Sequence, residues 1–168
     1  MLRAKQWLLD GSLVGERFTG ANLQRSNLWN ANLQEANLSL ASLQEADFPL
    51  ANLQSAKLLF ADFQKARLHN VNLRQANLSG ANLQDAKLQK ADLRQARLSI
   101  ANLQYADLSE AQYDKTTILP DDTYWTQDTD ITRFTDPSHQ HFWRSDNSIS
   151  PAYRGSTTTQ ALEGTAII

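Results

Sequence analysis

Residues 31–50 read "ANLQEANLSLASLQEADFPL". Leu33, Leu38, Leu43 and Phe48 stand five apart, and Ala31, Ala36, Ala41 and Ala46 keep the same spacing two places earlier. An α-helix turns about 100° per residue, so five steps would scatter these leucines round its circumference. A single strand fails as well, because an odd spacing sends successive leucines to opposite faces. The remaining geometry is a coil in which each five-residue unit is one straight wall. The chain then turns between walls, and every leucine points to a common axis. Self-similarity at a fixed short period marks a solenoid.

Outward from this stretch, the period runs from a centre at Leu13 to one at Ile118, which makes twenty-two centres. Leu or Phe fills all of them except Tyr113 and Ile118. From Ala31 to Ala111 the place two before each centre is Ala, with Val71 the single exception. The place one before is usually Asn or Asp. A narrow coil has room for one large and one small side chain per wall, which suits Leu with Ala. Asn, Asp and Ser suit the turns, because their side chains bond nearby backbone groups. Backbone groups must still be paired, and stacking coil on coil at about 4.8 Å pairs them.

The copies "ANLQEANLSL", "ADFQKARL", "ANLSGANLQDAKL" and "ANLQYADLSEAQY" resemble the pentapeptide-repeat family, whose unit is A(N/D)LXX. The resemblance covers residues 13–118. It implies an all-β fold, a right-handed quadrilateral parallel β-helix with four pentads per coil. Twenty-two units would then give about 5.5 coils and a rod roughly 26 Å long. The closing "AQYDKTTILPDDTYW" also resembles the run that ends such repeats.

A ten-residue alternation lies over the period of five. Gln or Arg follows alternate centres, so Gln24, Gln44, Gln64, Gln84 and Gln104 should stack on one wall. Gln34, Gln54, Arg74 and Arg94 should stack on the opposite wall. Amide ladders stabilise stacked strands. Another column reads Gly20, Leu40, Phe60, Gly80, Ile100, with Leu59 beside Phe60 and Leu50 on the opposite side. Leu40, Leu59, Phe60 and Ile100 form the candidate surface, to be covered by the tail, by a second copy or by a protein partner.

The net charge of −2 argues against a basic nucleic-acid binder. Residues 13–113 hold ten Lys/Arg and nine Asp/Glu. Lys57 and Arg97 share a column with Arg17, whereas Arg67 and Lys87 sit between Asp47 and Asp107. Some members of the family protect DNA gyrase by imitating DNA, which needs a continuous acidic stripe that this sequence lacks. The absence of cysteine excludes disulfides and thiol chemistry. No apolar run is long enough to span a membrane, and "MLRAKQWLLDGS" has only Trp7, Leu8 and Leu9 in a row, which suggests a cytoplasmic protein. Asn37-Leu38-Ser39 and Asn77-Leu78-Ser79 match a glycosylation sequon, but they are simply part of the repeat.

The expected organisation is an N-terminal helical cap over 1–12, a β-helix over 13–118 and a C-terminal segment over 119–168. That last segment carries Tyr124, Trp125, Phe134, Phe142 and Trp143, too many aromatics for a free tail, so its first part should dock on the solenoid. His139 and His141, near Asp136, are the nearest approach to a metal-ligand pair, and their spacing matches no known ligand set. No catalytic, cofactor or metal site is expected. The function expected is a non-enzymatic interaction module with an unidentified protein partner or a homodimer, and the alternative is a DNA-mimic modulator of gyrase.

Overall fold

The computed structural model describes residues 13–143, so the expected N-terminal helix lies outside the described residues. Parallel pairs join residues twenty apart, such as Arg17 to Asn37, Asn37 to Lys57 and Lys57 to Asn77. Twenty residues at five per wall give four walls per coil. The first wall is centred on Leu13, Leu33, Leu53, Leu73 and Leu93, and the second on Phe18, Leu38, Leu58, Leu78 and Leu98. The third and fourth walls begin at Leu23 and Leu28.

One pentad shows why the coil closes. Residues 51–55 contribute five N–H groups, and each finds an acceptor. Ala51 donates to the Phe48 carbonyl at 3.0 Å, closing the turn, and Asn52 donates back to Ala31 at 2.9 Å. Leu53 and Ser55 each donate forward at 2.8 Å, to Asn72 and Arg74. The fifth donor, Gln54, bonds the Asn52 side-chain oxygen at 3.1 Å. This accounting explains the Asn/Asp preference, because that side chain accepts the one N–H that neither the turn nor the neighbouring coil can reach.

The fifth place of every pentad from Gly15 to Glu110 has a positive φ, for example 60° at Leu40 and 53° at Ile100. With a bond closing over four residues and positive φ only at the third, each corner has the form of a type II turn. Pro49 fits the second place of its turn and has no N–H to satisfy.

The interior is filled. Leu38, Leu43, Phe48 and the alanines between them are fully buried, and Phe48 and Phe63 meet with ring centroids 5.7 Å apart. The amide ladder runs in a different column from the expected one. Asn72 donates to Asn52 at 2.9 Å and Asn102 to Asn82 at 3.1 Å, whereas Gln44 turns to Asp62 and Gln84 to Asp85. The short Asn side chain is held at the coil spacing, while Gln44 and Gln84 reach sideways to carboxylates. At one corner Gln75 does donate to Gln95, one coil on, at 2.7 Å.

The last centre also differs from the expected one. Thr117 and Leu119 point inward, and Ile118 pairs with Arg97, twenty-one residues away. An extra residue in the Asp114–Thr117 turn shifts the register by one. There the Asp114 carboxylate accepts the Thr116 N–H at 2.9 Å, and Thr117 donates its hydroxyl to Leu93 at 3.1 Å.

Residues 119–143 close the C-terminal end. Tyr124 pairs antiparallel with Ile118, and Trp125 stacks on Tyr113 at 5.8 Å. A short helix, α1 (Thr132–Thr135), places buried Phe134 in continuity with the core, edge-on to Trp143 at 5.9 Å. Thr135 also accepts the Tyr105 N–H at 2.7 Å, where the next coil would otherwise supply a carbonyl.

Candidate functional site

With the interior packed by Leu, Phe and Ala, the solenoid can act only through its outer walls and its ends. Three walls neutralise their own charges. Arg25 pairs with Glu45 at 2.9 Å, Arg67 with Asp47 at 3.2 Å and Lys90 with Glu110 at 3.6 Å, each across one coil. Arg94 folds onto Asp92 within its own pentad, and the hydrogen bond from that guanidinium holds the Asp92 carboxyl below the usual range. Down one corner, Arg25, Glu45, Lys65 and Asp85 alternate in sign.

The four residues of the sequence-derived surface share the second wall. Leu40 is 60% exposed, and Leu59, Phe60 and Ile100 are half-buried. Phe60 lays its ring over Gly80, where an added Cβ would stand 2.3 Å from the ring. Gly80 is therefore buried, and the column is partly covered by its own members. Residues 119–143 sit over the last coil and leave Leu40 open. On the fourth wall, Trp29 and Leu50 are 56% and 51% exposed, on either side of Pro49.

A cleft of about 460 Å³ lies in the cap, lined by Thr123, Tyr124, Asp128, Asp130, Arg133, His139 and His141 among others. His139 meets Asp130 through Nε2 at 3.0 Å, and its Nδ1 accepts the His141 N–H at 3.1 Å. The second bond places the proton of the neutral ring on Nε2, so His139 donates to Asp130. Asp136, the residue nearest to a metal pair in sequence, accepts instead from Ser138. Among the described residues no group of three or more His, Cys, Asp or Glu side chains is arranged to hold a metal ion. No helix among them is long and apolar enough to cross a membrane.

Sequence reasoning missed the turn chemistry of the cap. Asp121, Asp130 and Asp136 each accept both the backbone N–H and the hydroxyl of the Thr or Ser two places on. The signal was present as Asp-x-Thr or Asp-x-Ser, which Asp107-Leu-Ser109 also carries.

The family model for pentapeptide repeats matches residues 17–54, 36–75 and 76–112, in eight copies. No curated protein matches the chain. Among solved structures, a pentapeptide repeat protein of the Arabidopsis thaliana thylakoid lumen is similar with a TM-score of 0.59 at 23% identity, over 61% of this chain and 71% of that one. HetL, from the cyanobacterium Nostoc and involved in heterocyst differentiation regulation, is 30% identical with a TM-score of 0.53. That likeness spans 67% of this chain and 63% of HetL. A pentapeptide repeat protein from the cyanobacterium Cyanothece is 32% identical over 62% of this chain and 88% of that one, with a TM-score of 0.44.

Proposed function

From the premise that this chain belongs to the pentapeptide-repeat family, with the right-handed quadrilateral β-helix of that fold, we propose that it is a non-enzymatic interaction module. It presents a rigid, patterned surface to a protein partner or to a second copy of itself. One observation carries this reading. Leu40 and Leu50 stand exposed at corners where φ is positive, 60° and 62°. A left-handed conformation costs a side-chain-bearing residue about 1–2 kcal/mol, and the corner needs nothing apolar on its outside. Bulky apolar residues kept there are more readily explained by a contact than by the fold.

The filled interior supports the same reading, because chemistry usually needs a concave site and Leu, Phe and Ala occupy the inside of the coil. The alternating charges argue against the gyrase alternative, because a DNA mimic needs an unbroken acidic stripe. Two measurements test the proposal. Light scattering over a range of concentrations reads self-association, and capture from native lysate followed by mass measurement reads a stoichiometric partner. A strict monomer that captures nothing in fixed ratio would sink the proposal. A supercoiling assay with excess protein should leave gyrase unaffected.

A further inference from the structure

The second wall differs electrically from the other three. Every Lys or Arg of residues 21–111 on the first, third and fourth walls has a carboxylate acting on it. Four are the ion pairs of Arg25, Arg67, Lys90 and Arg94. Arg74 acts on Asp92, Lys65 on Glu45 and Lys87 on Asp107 through their charges. Arg17, Lys57 and Arg97 of the second wall are all exposed and have no such partner among the described residues. They occupy one column, joined through Asn37 and Asn77, so each lies two coils from the next. That spacing is about 9.6 Å. Glu16, in the first coil, is the one carboxylate of this wall, and from residue 36 to residue 100 the wall has none.

The same wall carries the apolar column. Leu40, Phe60 and Ile100 run along the corner it shares with the third wall, with Leu59 between them and the cations. It is also the wall that continues past the fifth coil, where Ile118 pairs with Arg97 and Tyr124 adds an antiparallel edge. Unpaired cations at a regular interval thus stand beside a partly exposed apolar row, on the longest ladder among the described residues.

We infer that the second wall is a docking face for an acidic amphipathic helix of another protein. This rests on the interaction reading above and names the partner's chemistry. In an α-helix, residues seven apart lie on nearly the same side, about 10.5 Å along the axis. Glu or Asp one heptad apart would therefore meet Arg17, Lys57 and Arg97 in turn. An adjoining stripe of Leu would lie on Leu40, Phe60 and Ile100. Nucleic acid fits less well. Glu35 and Asp62 flank the wall, three cations are few for a phosphate backbone, and the apolar row would have no use.

The probe is a fluorescein-labelled helical peptide of about 18 residues, roughly 27 Å long, with Glu at i, i+7 and i+14 and Leu on the adjoining stripe. Fluorescence anisotropy should show binding that weakens with salt. Reversing the column (Arg17→Glu, Lys57→Glu, Arg97→Glu) should weaken it at least about tenfold, whereas Lys65→Glu, Arg74→Glu, Lys87→Glu, with the same change in net charge, should stay within about twofold. Leu40→Ser should weaken binding without changing its salt dependence. Circular dichroism melts confirm that each variant is folded. Equal loss in both triple variants, no salt-dependent binding, or tighter binding of a 24-base-pair duplex than of the peptide would each overturn the inference. So would sedimentation showing that the reversed column dissociates a homomer, which would assign the wall to a second copy. A stoichiometric lysate partner that the reversed variant still captures would overturn this wall's role alone and leave the interaction reading standing.

Discussion

The coils and the cap satisfy the same backbone needs by different means. In the coils, most N–H groups have an acceptor fixed by register, so one pentad's solution serves its neighbours. Where Lys57, Arg67, Lys87 or Arg97 stands in place of Asn or Asp, the side chain can accept nothing. In the cap, Asp121, Asp130 and Asp136 each build a turn of their own, and α1 is the one helix among the described residues. An Asn or Asp side chain that accepts an N–H two places on is the same device in both regions, and in the cap it is Asp each time. What the cap lacks is its repetition. The coil's stability is therefore shared over many equivalent layers, as in other solenoids, whereas the cap depends on a few anchors. Phe134 is the principal one.

That contrast is broken most forcefully from inside the coil. Leu73 is fully buried in a middle layer, and Leu73→Asp puts a carboxylate there with no partner. We expect a loss of more than about 4 kcal/mol, enough to unfold the chain. Gln64→Lys, on an outer wall, should change stability by less than about 0.5 kcal/mol. Thermal melts that ranked the two the other way would invalidate the inward assignment of the centres.

Phe134→Ala should cost about 3–5 kcal/mol in the cap, the usual range for emptying a buried phenylalanine site. Hydrogen exchange should then speed up across residues 119–143 while residues 33–98 keep their protection. Loss of protection in both at once would make the cap part of the coil's cooperative unit.

The inward face was legible because a period of five admits one geometry. The aromatics of the cap gave the expectation of docking, and the structure stacks Trp125 on Tyr113 and puts Phe134 in the core. The slip at Ile118 was not, because a single extra residue before a Thr-Thr pair leaves the composition unchanged and moves only the register. Nor was the left-handed corner read, although Gly15, Gly20 and Gly80 with Asn30 and Asn70 mark it. Of the candidate surface, the exposure of Leu40 follows from its place in the pentad. The cover of Phe60 over Gly80 depends on a side-chain direction that spacing does not give.

A finer test uses the corners. Leu40→Gly removes an exposed side chain from a left-handed position. The relief of about 1–2 kcal/mol should exceed the roughly 0.5–1 kcal/mol entropic cost of glycine. The variant should melt slightly higher than the parent, by about 0.5 kcal/mol, and lose whatever contact Leu40 serves. A variant less stable than the parent would mean that Leu40 is held by packing, and the case for a functional corner would weaken.

The smallest effect separates the regions by pH. The Thr132 hydroxyl and N–H hold the Asp130 carboxyl below its ordinary range, with help from His139, and the Ser138 hydroxyl and N–H do the same for Asp136. A carboxylate whose pKa is lower folded than unfolded adds stability above its unfolded pKa and loses it as pH falls through the folded one. Both groups lie in the cap, and both are exposed enough that water screens much of the effect. The coil also holds Glu45, Asp92 and Asp107 low, but its leucine layers and backbone ladder do not titrate and carry most of its stability. On acidification below the ordinary aspartate range, amide exchange should therefore rise in residues 119–143 before it rises in the middle coils. Asp130→Asn, which keeps an acceptor and removes the titration, should flatten part of that rise. An identical pH profile in both regions would mean that the carboxylates of the coil, led by Asp92 and Asp107, govern its opening as well.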